Sequence, residues 1–420
     1  MMKILWFSCN ASLYSDNRLK YVSKGSANWI SSLEKQLRSI PDIELGVAFH
    51  QNGNAELFID KKDNVSYFIL PYKYTTKLGK LYNNWFGKVD NSYEIDYYFK
   101  VIELFKPDVI QIFGFEFSFV KILPKYKYIS IIHIQGILNV YSHFYHGNFS
   151  PNELSKSSSF LSKIKGSSYA KGKKLFNEKA IIESDAFKHC KYLFGRTEWD
   201  RRVATAVAPQ AEYFHCQEIM RDEFYQERWN KTRGEEIVLY STLKDLPAKG
   251  PDQIFHVDSI LQKYHPSLKY TLRIAGLDEN SRCVRAMRNC EFKKTNRLHF
   301  LGKLSAREII EEMQQSDIFV YPSLIENGCN AVQEAMLLGM PIVCTSAGGM
   351  ATTITNNETG LLVQPGDPYS MTGAIIELIE DYKFAKKLGE NARLVAHKRH
   401  DKGKIVNTVI STYRNILRNE

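Results

Sequence analysis

The segment from Tyr321 to Met350 constrains the fold of this chain most, because it has the pattern of a complete β-α-β unit. The apolar run Ile318–Tyr321 is typical of a buried parallel strand, and Pro322 ends that strand. A second apolar run, Pro341–Thr345, predicts another buried strand, which stops before Gly348. Parallel strands need a crossover between them, which is usually a helix. The segment therefore predicts an open α/β sheet.

The residues between these two strands carry start and stop signals for a helix. Asn330 is predicted as the N-cap, with Gln333 three residues later to close a capping box. Gly339 followed by Pro341 is typical of a helix end. The helix should therefore begin at the edge of the sheet where the first strand ends.

Two carboxylates, Glu326 in the loop and Glu334 in the first turn of the predicted helix, are separated by seven residues. Open α/β sheets bind ligands beyond the carboxyl ends of their strands, where both acids should lie. This arrangement suits a nucleotide sugar. N–H groups at the helix start can bind a diphosphate, Glu334 can accept ribose hydroxyls, and Glu326 can face the sugar. An acid in a first helical turn also stabilises the helix by about 0.3–1 kcal/mol, so the position of Glu334 alone establishes no function.

The stretch resembles the Glu-x7-Glu motif of the family 4 retaining glycosyltransferases, which have the GT-B fold. That fold consists of two facing Rossmann-like domains, with a C-terminal helix that crosses back to the N-terminal domain. The form ENGCNAVQEAMLLGMPIV is most similar to members that build bacterial capsular or O-antigen polysaccharides. The resemblance is strongest from Ile237 to Ala396 and covers most of the chain.

The resemblance assigns catalytic and phosphate-binding roles in the second half. Lys249, followed by Gly250, matches the lysine of the family's phosphate-binding loop, whose ammonium neutralises the leaving diphosphate. Family members usually carry an arginine a few residues earlier, and Thr242 and Lys244 are the nearest candidates here. The resemblance places Glu326 on the sugar as a catalytic residue.

Further donor contacts are implied by the same resemblance. The segment HFLGKL, which ends at Leu304, matches the loop whose backbone contacts the base. Three residues at the start of the predicted helix complete the donor-binding set: Gly328, Cys329 and Asn330.

The first half contains the other candidate residues. Gly25 and Ser26 stand where family members have a Gly-rich loop against the donor diphosphate, and a double glycine is common there. An amphipathic helix follows, with four apolar residues on one face: Trp29, Ile30, Leu33 and Leu37.

His133 and Arg196 follow two later strands of the first half. His133 ends the apolar run YISIIH and matches a histidine that family members place near the donor sugar, although a lone histidine after a strand is usually structural. Arg196, in the segment GRTEWDR, can meet phosphate, but Glu198 and Asp200 can equally pair with it.

The length of 420 residues predicts two domains of about 200 residues each. The predicted parts are an N-terminal acceptor domain over 1–211, a crossover over 212–236, a donor domain over 237–403 and a closing helix over 404–420. The sequence has no run of 18 apolar residues and no signal-peptide pattern at MMKILWFSCN. None of the seven cysteines forms a CxxC pair, so reduced, buried thiols in a cytoplasmic protein and no metal site are expected.

The net charge of +10 permits anionic partners: a nucleotide sugar, an anionic lipid or nucleic acid. The polar stretch from Tyr141 to Lys179 is rich in lysine. Most lysine runs are solvated faces, but its place in the acceptor domain also admits a contact with the inner face of an anionic membrane. The lysines of this stretch are Lys156, Lys163, Lys165, Lys171, Lys173, Lys174 and Lys179.

The resemblance implies transfer of a hexose-type sugar, with retention, from a nucleoside diphosphate donor, UDP above all, to a surface glycan or lipid-linked oligosaccharide. No cofactor and no metal are expected, since there is no Asp-x-Asp motif. One alternative is a nucleotide-sugar epimerase or hydrolase on the same fold. Another is a non-catalytic protein that binds glycan or nucleic acid, although no nucleic-acid motif is present and no nucleic-acid partner is expected.

Overall fold

The computed structural model describes residues 1–14, 29–51, 56–71, 77–86, 92–125, 129–158, 169–290, 292 and 295–420. The chain divides into two compact units. The first comprises Met1–Ser142, Phe160–Ile219 and Asp401–Glu420, and the second comprises His143–Ser159 and Met220–His400.

The first unit is built on one eight-stranded sheet within the described ranges. The strands are β1 (Met2–Phe7), β2 (Ile43–His50), β3 (Phe58–Lys62), β4 (Val65–Leu70), β5 (Val109–Phe113), β6 (Ser130–His133), β7 (Tyr192–Gly195) and β8 (Glu212–His215). Their order is β3-β4-β2-β1-β5-β6-β7-β8, and all neighbours are parallel except β3 and β4. The central strands are mostly apolar and are largely buried, as expected of parallel strands covered by helices.

Helices flank this sheet and include the last helix of the chain. The helices of this unit are Trp29–Leu37, Lys77–Phe86, Ser92–Phe105, Leu138–His143, Tyr169–His189, Glu198–Val207 and Lys402–Asn419, with a 3₁₀ helix at Ser118–Lys125. Tyr413 of the last helix is fully buried, and its hydroxyl donates to Gln111 Oε1 and accepts from Trp6 Nε1 at 3.3 Å. The closing helix thus packs on the sheet of the N-terminal unit, as predicted.

The second unit is built on a sheet of six parallel strands within the described ranges. The strands are β9 (Ile237–Thr242), β10 (Tyr270–Ala275), β11 (Leu298–Gly302), β12 (Ile318–Tyr321), β13 (Ile342–Thr345) and β14 (Leu361–Val363). Their order, β11-β10-β9-β12-β13-β14, is the 3-2-1-4-5-6 order of a Rossmann sheet. The predicted strand Ile318–Tyr321 is confirmed, and all four of its residues are buried.

Local signals set the ends of several helices in this unit. Gly339, with a φ of +84°, ends the Asn330–Leu338 helix, as predicted. Asp367 caps the Pro368–Glu380 helix by accepting from Ser370 N at 2.9 Å. The helices are Pro151–Ser157, Asp222–Gln226, Pro251–Tyr264, Arg282–Asn289, Ala306–Gln314, Asn330–Leu338, Met350–Thr353, Pro368–Glu380 and Tyr382–Arg399.

The two units differ from the predicted domain limits in several places. The predicted crossover is divided, with 212–219 in the first unit and 220–236 in the second, and 401–403 belong to the first unit. Glu212–His215, predicted as crossover, is strand β8 and pairs with β7. It is an edge strand with no fully buried residue, so it lacks the apolar run that would reveal it. Residues 143–159, predicted within the first domain, group with the second unit. There Arg285 Nε donates to Ser157 O at 3.0 Å, and Asn148 Nδ2 donates to Asp252 Oδ2 at 2.8 Å.

Lys163 and Lys165 of the lysine-rich stretch lie outside the described residues, and two helices cover much of the rest of the stretch. A helix covers Tyr169–His189, and Pro151–Ser157 is a second helix with a complete capping box at Ser150. None of the helices in the described part of the chain has the length and apolarity to cross a bilayer. All seven cysteines are free thiols, and only Cys9 and Cys290 are partly exposed.

Candidate active site

The strand order of the second sheet reverses between β9 and β12. On one side of this point the sheet continues through β10 and β11, and on the other through β13 and β14. Loops that leave the carboxyl ends of two such strands turn in opposite directions and open a crevice, where α/β sheets bind their ligands. The loop after β9 contains the 3₁₀ turn Pro247–Lys249, and the loop after β12 contains Glu326.

Lys249 and Glu326 form an ion pair at this switch point. The Lys249 Nζ lies 2.5 Å from Glu326 Oε2, and the Tyr321 hydroxyl donates to the same oxygen at 2.8 Å. Both side chains are largely buried, with 12% and 11% exposed. Burial alone would raise the pKa of Glu326, but Lys249, Tyr321 and the charge of Lys244 together lower that pKa below its ordinary value. At neutral pH Glu326 is therefore an ionised carboxylate beside a cation.

Two glycines hold the loop that carries Glu326. Gly250 has a φ of +66°, and a Cβ there would lie 2.1 Å from Pro322 O. Gly348 has a φ of +54°, and a Cβ there would lie 2.1 Å from Glu326 O. The next residue, Gly349, donates its N–H to the same carbonyl at 2.9 Å. No other residue type fits at Gly250 or Gly348 without displacing the neighbouring backbone, so the loop after β12 is held from both sides.

The helix after this loop begins without a side-chain cap. Its N-cap is Cys329, so the predicted N-cap at Asn330 and the capping box with Gln333 are wrong. Asn330 already has a helical position, which turns its side chain away from the N–H groups it was predicted to cap. Its Oδ1 is buried and makes no hydrogen bond within the described chain. First-turn N–H groups without a capping side chain are potential donors to an anion.

Gly328 and Cys329, two predicted donor-binding residues, lie at this helix start and are buried. Burial, followed by the charge of Glu326, raises the pKa of Cys329 to about 12, so its thiol is neutral. The charges of Glu326 and Lys249 both affect the pKa of Cys329, so Cys329 lies near this ion pair.

Glu334 lies in the second turn of the helix, because the helix starts at Asn330, so its predicted first-turn position is wrong. Its Oε1 accepts from both Nε and Nη2 of Arg221 at 2.7 Å, which leaves Oε2 outside this ion pair. Only 6% of the residue is exposed. Burial raises the pKa of Glu334, and the guanidinium opposes that shift only in part. The carboxylate is thus oriented through one oxygen, and the other remains available to hydroxyl donors.

Thr242 and Leu304 follow two other strands of the same sheet. Thr242 is the last residue of β9, and its hydroxyl donates to the Tyr240 hydroxyl at 3.3 Å. Leu304 is half-buried and lies two residues beyond the end of β11. The predicted residues of the second half therefore lie on strand ends and loops of one sheet or, for Asn330 and Glu334, in the helix after β12, and the structure joins Lys249 to Glu326 directly.

His133 is fully buried at the end of β6 in the first unit. Its ring packs against Trp29 at 4.6 Å and Phe194 at 5.4 Å between centroids. Its Nδ1 lies 3.4 Å from Gln111 Nε2, and its Nε2 is buried without a hydrogen-bond partner among the described residues. Burial, followed by the charge of Arg196, lowers the pKa of His133 well below its ordinary value. The imidazole is therefore neutral.

Arg196 pairs with a residue that the sequence did not suggest. Its Nη1 lies 2.6 Å from Glu218 Oε1, and its guanidinium also donates to the carbonyls of Ile134 and Gln135. Neither acid predicted as a structural partner takes this role: Glu198 pairs with Arg201, and Asp200 accepts the Arg196 backbone N–H. The guanidinium thus holds the loop after β6.

Gly25 and Ser26 lie outside the described residues. The sequence missed three residues that contact predicted site residues: Tyr321, Arg221 and Glu218. Tyr321 ends a buried strand, where an aromatic residue is predicted to be part of the hydrophobic core. Arg221 and Glu218 fall in a charge-dense segment that was predicted as a linker, and no spacing rule marks their distant partners.

Residues 222–395 match the protein family described as Glycosyl transferases group 1. This range includes Lys249, Glu326 and Glu334, together with every strand of the second sheet. The similarity to this family therefore extends over the sheet and the charged candidate residues of the second unit.

Curated relatives match part of the chain. One is the N,N'-diacetylbacillosaminyl-diphospho-undecaprenol alpha-1,3-N-acetylgalactosaminyltransferase of Campylobacter jejuni, 31% identical over 146 residues, which are 35% of this chain and 37% of the relative. Another is the N-acetyl-alpha-D-glucosaminyl L-malate synthase of Bacillus anthracis, 30% identical over 125 residues, which are 30% of this chain and 32% of the relative. The matched segments thus span only about a third of these relatives' own lengths.

Solved structures match the whole chain. Sucrose-phosphate synthase from Thermosynechococcus elongatus has a TM-score of 0.73 at 13% identity, with 100% of both chains covered. Anabaena HepE, solved with UDP and glucose, has a TM-score of 0.64 at 16% identity, covering 99% of this chain and 100% of that one. WaaG, a glycosyltransferase involved in lipopolysaccharide biosynthesis, has a TM-score of 0.62 at 12% identity, covering 96% and 98%. The fold is therefore GT-B, as the sequence predicted.

Proposed function

We propose that the protein is a glycosyltransferase that moves a hexose-type sugar from a nucleoside diphosphate donor, UDP above all, to a surface glycan or lipid-linked oligosaccharide, on the cytoplasmic side. The observation that carries this proposal is the buried Lys249–Glu326 pair at the switch point of a Rossmann sheet, beside a helix start without a capping side chain. A cation and the N–H groups of a helix start suit a diphosphate, and a carboxylate suits sugar hydroxyls. The relative from C. jejuni supports the acceptor class, since its name contains a diphospho-undecaprenol sugar.

The proposed reaction proceeds with retention and needs no side-chain nucleophile. The acceptor oxygen bonds to the anomeric carbon on the face from which the diphosphate departs, and the acceptor proton passes to the departing phosphate oxygen. The bond between the anomeric carbon and the phosphate oxygen breaks, and the sugar becomes oxocarbenium-like on the way. Catalysis then comes from preorganised charge. Lys249 and the helix start stabilise the diphosphate, Glu326 binds sugar hydroxyls, and His133 is proposed beside the sugar.

The other proposed donor contacts are to the ribose, the phosphates and the base. Glu334 holds the ribose through Oε2, and Gly328, Cys329 and Asn330 present backbone N–H groups to the phosphates. Leu304 contacts the base through its backbone. Thr242 and Arg196 are proposed at the phosphates, with Gly25 and Ser26 as a backbone contact. For Arg196 this role requires sharing the guanidinium with Glu218, to which it is already bound.

Assays with and without acceptor test the proposed function. UDP-, GDP- and ADP-sugars are first screened by thermal shift, because a ligand that binds the folded state raises Tm. The donor with the largest shift is then incubated with the protein alone, and with undecaprenyl-diphosphate-linked sugars. We expect nucleoside diphosphate release that depends on acceptor. Rapid conversion of donor alone would indicate an epimerase or hydrolase, and no shift with any donor would indicate a non-catalytic protein.

Glu334→Gln is expected to weaken binding of the nucleoside diphosphate by about 1–3 kcal/mol, because a charged acceptor of ribose hydroxyls becomes a neutral one. The amide oxygen can still accept from Arg221, so the fold of the loop should persist. Isothermal titration with UDP measures the effect. Glu377→Gln, on an exposed face of the Pro368–Glu380 helix, is the matched control. Equal affinities in the two folded variants would remove Glu334 from the donor site.

Chelation is expected to leave transfer intact, because Lys249 and backbone N–H groups, rather than a divalent cation, are proposed to meet the diphosphate charge. The initial rate is measured after dialysis against EDTA and again after adding Mg²⁺ or Mn²⁺. A rate that falls on chelation and returns with either cation would contradict the proposal of a metal-independent enzyme.

A further inference from the structure

Residues 143–159 form an arm that packs within the second unit, although they were predicted in the acceptor domain. The far end of this arm is the Pro151–Ser157 helix, which packs against the Arg282–Asn289 helix. Leu154 of the arm is buried, and Arg285 Nε donates to Ser157 O at 3.0 Å. The arm is therefore anchored at one end on a helix of this unit.

The near end of the arm contacts the turn that carries Lys249. Gly147 has a φ of +57°, and a Cβ there would lie 2.6 Å from Pro247 O and 2.8 Å from Pro247 C. The same carbonyl accepts from Gly250 N at 3.0 Å, which is the hydrogen bond that closes the Pro247–Lys249 turn. The arm and the turn thus approach so closely that any side chain at position 147 would displace one of them.

Asn148 connects the arm to the helix that follows the turn. Its Nδ2 donates at 2.8 Å to Oδ2 of Asp252, which lies in the first turn of the Pro251–Tyr264 helix. Asp252 is only 3% exposed, and its Oδ1 is buried without a hydrogen-bond partner among the described residues. Hydrogen bonds to a buried carboxylate are strong, and losing one leaves the charge less well satisfied. The Asn148 contact therefore holds the helix start to the arm.

The loop after β12 holds the same turn through a different carbonyl. Ala248 O accepts from Leu324 N at 2.9 Å and from the Ser323 hydroxyl at 3.3 Å. That loop also carries Glu326, which pairs with Lys249. The backbone that positions the Lys249 ammonium is therefore fixed by contacts from two separate segments, the arm and the loop.

We propose that the arm is part of the donor site, with Gly147 and Asn148 as positioning residues that hold the Lys249 turn ready for the diphosphate. The identity of the ligand rests on the proposed function, whereas the contacts between the arm and the turn do not. A turn that is already ordered loses less conformational entropy when a ligand binds, so the arm should raise nucleotide affinity. The family similarity begins at residue 222, so the arm lies outside it.

Hydrogen exchange in the absence of nucleotide tests whether the arm holds the turn. The backbone amides of Lys249, Gly250 and Gln253 donate within the turn and the helix start, so their exchange reports local opening. In the double variant Gly147→Ala/Asn148→Ala, exchange of these amides is expected to be at least about tenfold faster than in the wild type.

The matched control is Gly373→Ala/Asn391→Ala, in two other helices of the same unit. A Cβ at Gly373 meets open space, and Asn391 Nδ2 donates to Glu358 O at 2.9 Å, so the control makes the same two kinds of substitution. Its turn amides should exchange like those of the wild type. Asn148→Ala alone adds no atom to the fold, and it should give a smaller effect in the same direction if the double variant unfolds.

Titration with UDP tests whether this positioning matters to the ligand. The double variant is expected to bind UDP about tenfold more weakly than the wild type, because the turn must then be ordered on binding. In the Lys249→Met background the same two substitutions should change UDP affinity less than about twofold, since they are proposed to act through the ammonium. Residues with a purely structural role would cause the same loss in both backgrounds.

Failure of this inference and failure of the proposed function give different results. Unchanged exchange of the turn amides in the folded double variant would overturn the inference and leave the proposed function intact. Equal losses of UDP affinity with and without Lys249 would do the same. A wild type that binds none of UDP, GDP and ADP would overturn the proposed function, while faster exchange in the double variant would still establish that the arm holds the turn.

Discussion

Glu326→Ala is expected to lower kcat about 100- to 1,000-fold while leaving the affinity for the nucleoside diphosphate unchanged or higher. The magnitude is that of removing one preorganised electrostatic contact made chiefly in the transition state. Nucleotide affinity should not fall, because the loss of Glu326 frees the Lys249 ammonium from a partner 2.5 Å away. Steady-state kinetics and titration with UDP measure the two quantities separately.

Tyr321→Phe is the matched variant for this experiment. It removes one hydrogen bond to Glu326 Oε2 and keeps the carboxylate and its ion pair, so a loss in kcat well below that of Glu326→Ala is expected. If Glu326→Ala loses nucleotide affinity as severely as turnover, the substitution has disordered the loop after β12. The assignment of Glu326 to the sugar would then fail.

Lys249→Met is expected to reduce both activity and stability. Loss of the cation from the proposed diphosphate site should lower kcat about 100- to 1,000-fold and weaken nucleotide binding. It also leaves Glu326 buried and unpaired, and breaking a buried ion pair in this way costs about 3–5 kcal/mol in the free energy of unfolding at pH 7. Urea denaturation measures that cost.

The pH dependence of this stability difference tests the ion pair directly. The folded-state pKa of Glu326 is lowered, so the stabilisation is complete above its unfolded pKa of about 4.3 and is lost as the pH falls through the lower folded value. The difference between wild type and Lys249→Met should therefore shrink at acid pH. Lys269→Met, which breaks an exposed pair with Glu235, should cost less than about 1 kcal/mol. A difference independent of pH would mean that Lys249 stabilises by packing alone.

Much of the sheet architecture could be predicted because parallel strands are buried on both faces. Ile318–Tyr321 is a short apolar run, and the observed strand matches it residue for residue. The predicted strand Pro341–Thr345 is observed from Ile342 to Thr345. Strands β3 and β8 were missed because edge strands are largely exposed and need no apolar run. The Lys77–Phe86 helix was missed although its apolar residues have the i, i+3, i+4, i+7 spacing of an amphipathic helix.

The acidic residues and the lysine of the candidate site could be predicted from the sequence, but the residues that pair with the acids could not. Glu326, Glu334 and Lys249 were marked by a motif whose spacing follows from one β-α-β unit. Arg221 is more than a hundred residues from Glu334 in the chain, and only the folded structure brings their charges to 2.7 Å. The start of the helix after β12 was predicted to within one residue, which is enough to locate that helix but not to choose between Cys329 and Asn330 as its cap.

The interlocked glycines at the switch point limit how this protein can be re-engineered. Gly250 and Gly348 each pack closely against a backbone carbonyl of the loop after β12. The backbone path of that loop therefore depends on two other segments of the chain. If this loop alone were replaced by that of a related enzyme, its backbone would clash with the segments that contain Gly250 and Gly348. Changes of donor preference are therefore more accessible through exchanges that move all three segments as one module.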